Sequence, residues 1–149
     1  MWPFAGHDHD QDTIALDKVS FIAGQGHSTK RLMLLTTDLD YGGAQRQLLL
    51  IARELIAKGW DLKLVTLLQP KALVEEVLEL ELQFESLGIT SSFGAARPIA
   101  QLVRLINEWR PDVMHCHMVH ANLVGRAVRP FTNVPVMISA ARNVNEGRR

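Results

Sequence analysis

The stretch from Arg31 to Ile51, RLMLLTTDLDYGGAQRQLLLI, restricts the fold more than any other part of the chain. Leu32, Met33, Leu34 and Leu35 are an unbroken apolar run, as in a parallel strand covered on both faces. Asp38, Leu39, Asp40 and Tyr41 lead away from it, Gly42 and Gly43 turn the chain, and a helix follows. Its apolar stripe is Leu48, Ile51, Ala52 and Leu55, at i, i+3, i+4 and i+7. Glycine beside a helix N-terminus is where a parallel α/β fold brings free N–H groups to an anionic ligand. A site for a phosphorylated ligand is one reading of the paired glycines. A tight strand-to-helix connection is the other.

The rest of the chain repeats the alternation. The first helix is expected from about Gly43 to Lys58, stopped by Gly59, and the second strand from Asp61 to Leu68, closed by Pro70. A second helix is expected from Lys71 to about Leu82, and a short third strand from Ile89 to Phe93 after the turn Leu87-Gly88. Pro98 fits a first helical position, and Ile99, Leu102, Val103, Ile106 and Trp109 line one face of that third helix. A fourth strand from Asp112 to Met118, a helix ending near Arg129, and a fifth strand from Val134 to Ala140 complete the pattern. Strands alternating with helices over short connections predict an α/β fold, a Rossmann-like three-layer α/β/α domain on a parallel sheet. Residues 1–30 lack sustained periodicity and read as a poorly ordered leader before a domain spanning 31–149. The leader's His7-Asp8-His9-Asp10 suits a solvated tail better than a metal site, since no apolar frame holds the ligands.

In such sheets ligands bind beyond the carboxyl ends of the strands. Three loops fall on that edge: Asp38–Gly43, His117–Asn122 and Arg142–Gly147. Asp38 and Asp40 could hold a cation, accept a substrate proton, or be solvated turn acids. His115, His117 and His120 form an H-x-H-x-x-H cluster in which His115 and His117 share a strand face, opposite Met114 and Cys116. Three readings stand: a metal site of a hydrolase, imidazoles bonding a sugar hydroxyl or phosphate, or partly buried structural histidines. Arg142, Asn143, Asn145, Glu146, Arg148 and Arg149 cluster just past the fifth strand, on the ligand edge.

Several classes are disfavoured. There is no Walker-type phosphate loop, no G-x-G-x-x-G dinucleotide fingerprint and no visible Ser-His-Asp order. Sixteen basic and 16 acidic residues balance, which argues against nucleic acid as a partner. The one cysteine, Cys116, makes no internal disulfide. No apolar run approaches a membrane span and no signal peptide is evident, so a cytoplasmic protein is expected, with peripheral membrane contact left open.

Taken together, TTDLDYGGAQRQLLLIARELIAKGWDLKLVTL, then LGI, then RPDVMHCHMVHANLVGRAV, then VPVMISAARNVNEG resembles the N-terminal domain of glycosyltransferase family 4, retaining enzymes of GT-B architecture. The resemblance runs from about Arg31 to Gly147. It implies the acceptor-side half of an enzyme that moves a hexose-type sugar from a nucleotide-diphosphate sugar to a sugar or lipid-linked acceptor. It implies a co-substrate rather than a cofactor, and no metal. Gly42 and Gly43 match the family's glycine loop near the donor phosphates. His117 matches the histidine beside the transferred sugar, which makes it the catalytic candidate. Asn143 and Glu146 match the loop after the fifth strand, where many relatives have His before the Asn and this chain has Arg142. Asp40, His120, Asn122 and Arg142 complete the expected substrate-binding set.

The family's donor-binding second domain, with its paired glutamates, has no counterpart in these residues. The expectation is therefore a fragment, a truncated product or half of a split enzyme, inactive alone, with a bare face open to homodimerisation. A non-catalytic α/β module binding a ligand or another protein is the alternative.

Overall fold

The computed structural model describes residues 29–91 and 94–140. Among them, five parallel strands form one sheet in the order β3-β2-β1-β4-β5: β1 Arg31–Thr36, β2 Asp61–Thr66, β3 Gln83–Ser86, β4 Val113–His117 and β5 Val136–Ala140. Four α-helices connect them: α1 Gly43–Ala57, α2 Val74–Glu79, α3 Ala96–Trp109 and α4 Val119–Val128. No helix among the described residues is long and apolar enough to cross a membrane.

The strand pleat divides the core in two. Leu32, Leu34, Leu62, Leu64 and Val113 face one side, where Leu48, Leu49, Ala52 and Leu55 of α1 and Val77 of α2 cover them. Met33, Leu35, Val65, Met114 and Cys116 face the other side, against Leu102 and Ile106 of α3 and Ala121 and Val128 of α4. Helices on both faces of a parallel sheet make the Rossmann-like three-layer domain expected of the alternation.

Local signals explain several boundaries. α1 ends as the glycine signal predicts: Gly59 takes φ 82, its N–H bonds the Ile56 carbonyl and the Trp60 N–H bonds the Leu55 carbonyl. Those two bonds satisfy orphan carbonyls, and Trp60 packs into the same cluster as Leu55. β5 starts at Val136, two residues later than expected, because Pro135 has no N–H for the ladder. Pro98 is the third residue of α3 rather than the first, still within the turn whose N–H groups need no intrahelical acceptor.

Two expectations are corrected. The third strand is Gln83–Ser86, and Ile89, Thr90 and Ser91, where the sequence predicts its start, lie in no strand. This edge strand is apolar on one side, where Leu82 and Phe84 pack onto the α1 cluster. The turn at Gly88, φ 61, follows the strand instead of opening one. The second helix is also shorter than 71–82. The Ala72 N–H is spent on the Leu39 carbonyl, and Leu73 and Glu81 adopt left-handed conformations at φ 56 and 53 that interrupt helical geometry at each end.

Candidate functional site

The strand order reverses between β1 and β4. β1 leads to β2 and β3 on one side, and the chain then returns to place β4 on the other. At such a switch point the connections leaving neighbouring carboxyl ends diverge and leave a crevice. Thr36, the last residue of β1, is paired in register with His117, the last residue of β4.

One side-chain cluster links the connections at this strand end. Gln45, in the first turn of α1, is buried. Its Nε2 donates to Asp38 Oδ1 at 2.8 Å and lies 3.7 Å from Met118 Sδ. Thr36 Oγ1 donates to the Asp38 carbonyl at 3.3 Å and sits 3.6 Å from the same sulfur. Met118 joins β4 to α4 at φ 74 and ψ 159, sparsely populated backbone for a residue with a Cβ. Asn122, in the first turn of α4, donates from Nδ2 to the Ala140 carbonyl at 3.0 Å, tying the helix to the end of β5. The carboxyl ends of β1, β4 and β5 are thus bridged by Gln45, Met118 and Asn122.

Gly42 and Gly43 serve different purposes. Gly42 is extended at φ −165, a conformation open to any residue. What it lacks is room, because a Cβ there would collide with Gln45 Oε1. Gly43 is the reverse, since a Cβ there would meet nothing within 4 Å. It is exposed at the start of a 15-residue helix that has no side-chain cap and no acid in its first turn. The helix therefore leaves its first N–H groups without a side-chain cap and the positive end of its dipole without an acid in the first turn.

The two strand histidines meet as the pleat predicts. His117 Nε2 lies 3.3 Å from His115 Nδ1, with ring centroids 4.1 Å apart. Both are buried. His115 is paired in register with Leu34 and Ile138. Desolvation among these neighbours lowers its pKa from 6.5 to about 4, so it is neutral near pH 7. On the opposite face, burial raises the Cys116 thiol to about 12, with Arg126 pulling weakly the other way.

The remaining expected residues divide. His120 is exposed, one residue into α4. Asp40 is exposed and accepts the Tyr41 N–H at 2.8 Å, while Asp38 turns to Gln45, so each acid has its own partner. No group of three or more His, Cys, Asp or Glu among the described residues is placed to hold a metal ion. Arg142, Asn143 and Glu146 lie outside the described residues. The sequence reading did not single out Gln45 or Met118. Gln45 could have been found, because it sits at i−3 and i−4 from Leu48 and Leu49, a polar residue on the apolar stripe of its helix. Met118 carried no sequence signal, since its role lies in its backbone conformation.

Residues 42–147 match the family model described as a glycosyl transferase 4-like domain. A solved glycosyltransferase from Rickettsia africae ESF-5 superposes with a TM-score of 0.62 at 13% sequence identity, over 80% of this chain. The chain spans 32% of that structure's length. At this identity the likeness is one of fold. Among curated proteins none matches the chain.

Proposed function

The chain belongs to the glycosyl transferase 4-like domain family, and on that premise we propose that it forms the acceptor-side half of a retaining glycosyltransferase. The enzyme transfers a hexose-type sugar from a nucleotide-diphosphate sugar to a sugar or lipid-linked acceptor. The observation that carries this reading is the uncapped start of α1 at Gly43, on the connection that leaves the carboxyl end of β1, the strand paired in register with β4 and its His117. An N-terminus of this kind stabilises charge developing on a departing diphosphate. His117 hydrogen-bonds the transferred sugar, and the β1–α1 loop receives the acceptor. Transfer proceeds without a metal ion and requires a donor-binding domain in addition to the residues described. A cytoplasmic location belongs to the same proposal.

The test is transfer from a panel of labelled nucleotide-diphosphate sugars, measured in an enzyme that carries this chain together with a donor-binding domain. His117→Ala should lower kcat by about 10²-fold, the scale of losing a positioned hydrogen bond at the reacting centre. NMR of the product should show the anomeric configuration retained. Wild-type transfer in His117→Ala, or inversion at the anomeric carbon, overturns the reading. Binding of sugar without transfer would favour a non-catalytic module.

A further inference from the structure

Neighbouring imidazoles at hydrogen-bond distance share one proton, and the location of that proton determines what each ring can do for a ligand. Between His117 Nε2 and His115 Nδ1, 3.3 Å apart, one nitrogen donates and the other accepts. The far nitrogen of His115 decides which. His115 Nε2 is buried and has no hydrogen-bond partner among the described residues. If His117 donated, neutral His115 would have to carry its own proton on Nε2, burying an N–H with no acceptor. If His115 donates, Nε2 is a bare lone pair. Orphaned buried N–H groups are rarer in folded proteins than under-satisfied acceptors. The in-register neighbours Leu34 and Ile138 offer no polar atom in their side chains to either form.

We propose that His115 is a positioning residue whose Nδ1–H donates to His117 Nε2 and holds His117 as the neutral tautomer protonated at Nδ1. The consequence for His117 is specific. Its one lone pair is occupied by His115, so any hydrogen bond it makes through Nδ1 is a donated one and it has no free base to offer. Protonating His117 at Nε2 would force His115 to move its own proton onto the buried nitrogen, so His115 also opposes formation of an imidazolium. The donor role of His117 rests on the proposed sugar site; the placement of the two protons does not.

The experiment is long-range 1H–15N correlation NMR on the histidine-labelled full chain near pH 7.5, with the two rings assigned through His115→Asn and His117→Ala. Both rings should show a pyrrole-like Nδ1 and a pyridine-like Nε2. His115→Phe keeps a ring but removes the donor, and should release His117 from the Nδ1–H form. His115→Asn returns an N–H donor close to the lost one and should restore it. In the transfer assay His115→Phe should lose about 10- to 100-fold in kcat, as for other orienting partners, with recovery in His115→Asn. A wild-type His115 protonated at Nε2, or an unchanged His117 tautomer in His115→Phe, overturns the proposal. The wild-type spectrum alone decides it if the Phe variant fails to fold. A wild-type transfer rate in His117→Ala alongside the expected spectra overturns the sugar site and leaves the proton placement standing.

Discussion

Gln45 donates from Nε2 to Asp38 at 2.8 Å, and its Oε1 fills the space where a side chain at residue 42 would begin. The amide is fixed at one end by a carboxylate and at the other by the absence of a Cβ. Gly42→Ala should therefore push the Gln45 amide aside and strain or break its bond to Asp38. A buried amide without its partner costs about 1–3 kcal/mol, to be read from urea unfolding. In a Gln45→Ala background the same substitution should cost almost nothing. Additive losses in the double variant would show that the two residues are not coupled.

Gly43 predicts the opposite behaviour. A Cβ there enters open space, so Gly43→Val should change the unfolding free energy by no more than about 1 kcal/mol. The branched side chain would stand over the uncapped α1 N-terminus, and in the enzyme that carries a donor-binding domain nucleotide-diphosphate binding should weaken at least tenfold by calorimetry. Undiminished affinity would remove this helix end from the site.

Acid should act on the domain through His115. Its pKa falls from 6.5 to about 4 on folding, so the unfolded chain binds more protons between those values and stability rises with pH across them. The contribution is complete above about pH 6.5, drains as acidity increases, and is exhausted below about pH 4. The difference between the two ends is about 3 kcal/mol. His115→Phe should flatten that part of the profile relative to wild type, measured as unfolding free energy from pH 7.5 to 4. Parallel profiles for the two proteins would refute it.

On the other face, a Cβ on Gly125 would lie 2.5 Å from Cys116 Sγ. Helix α4 approaches β4 closely only because this residue has no side chain. Gly125→Ala should destabilise by about 1–3 kcal/mol through overpacking, and Cys116→Ala should relieve part of it. With its thiol held up to about 12, native Cys116 should react with a disulfide reagent at pH 8 on the order of 10³-fold more slowly than in the unfolded chain. Fast labelling of the native protein would contradict the burial.

The sequence foretold the fold where one residue type has one physical use. Gly59 ends α1 because only a left-handed position there lets the Gly59 and Trp60 N–H groups reach back to Ile56 and Leu55. The apolar run of β1 reads directly as a doubly covered strand. The edge strand escaped because Gln83-Phe84-Glu85-Ser86 has little apolar density, and pairing with β2 rather than composition makes it a strand. At the site, His117 and the glycine loop were visible as types at spacings. The bond from Gln45 to Asp38 and the backbone of Met118 depend on which strands become neighbours. No local pattern encodes that adjacency.

The central position of β1 also sets an order of events during synthesis. β1 can pair with β2 once residue 66 has emerged, but its other edge must wait for β4, about eighty residues downstream of its own start. Until then the Leu32–Leu35 strand has an unsatisfied edge, the kind of surface that chaperones protect in nascent chains. Thr36 and Gln45 are made early, yet the Met118 sulfur they share arrives with the end of β4. The crevice is therefore among the last parts of the sheet to assemble, and its completion reports that the chain has been threaded correctly.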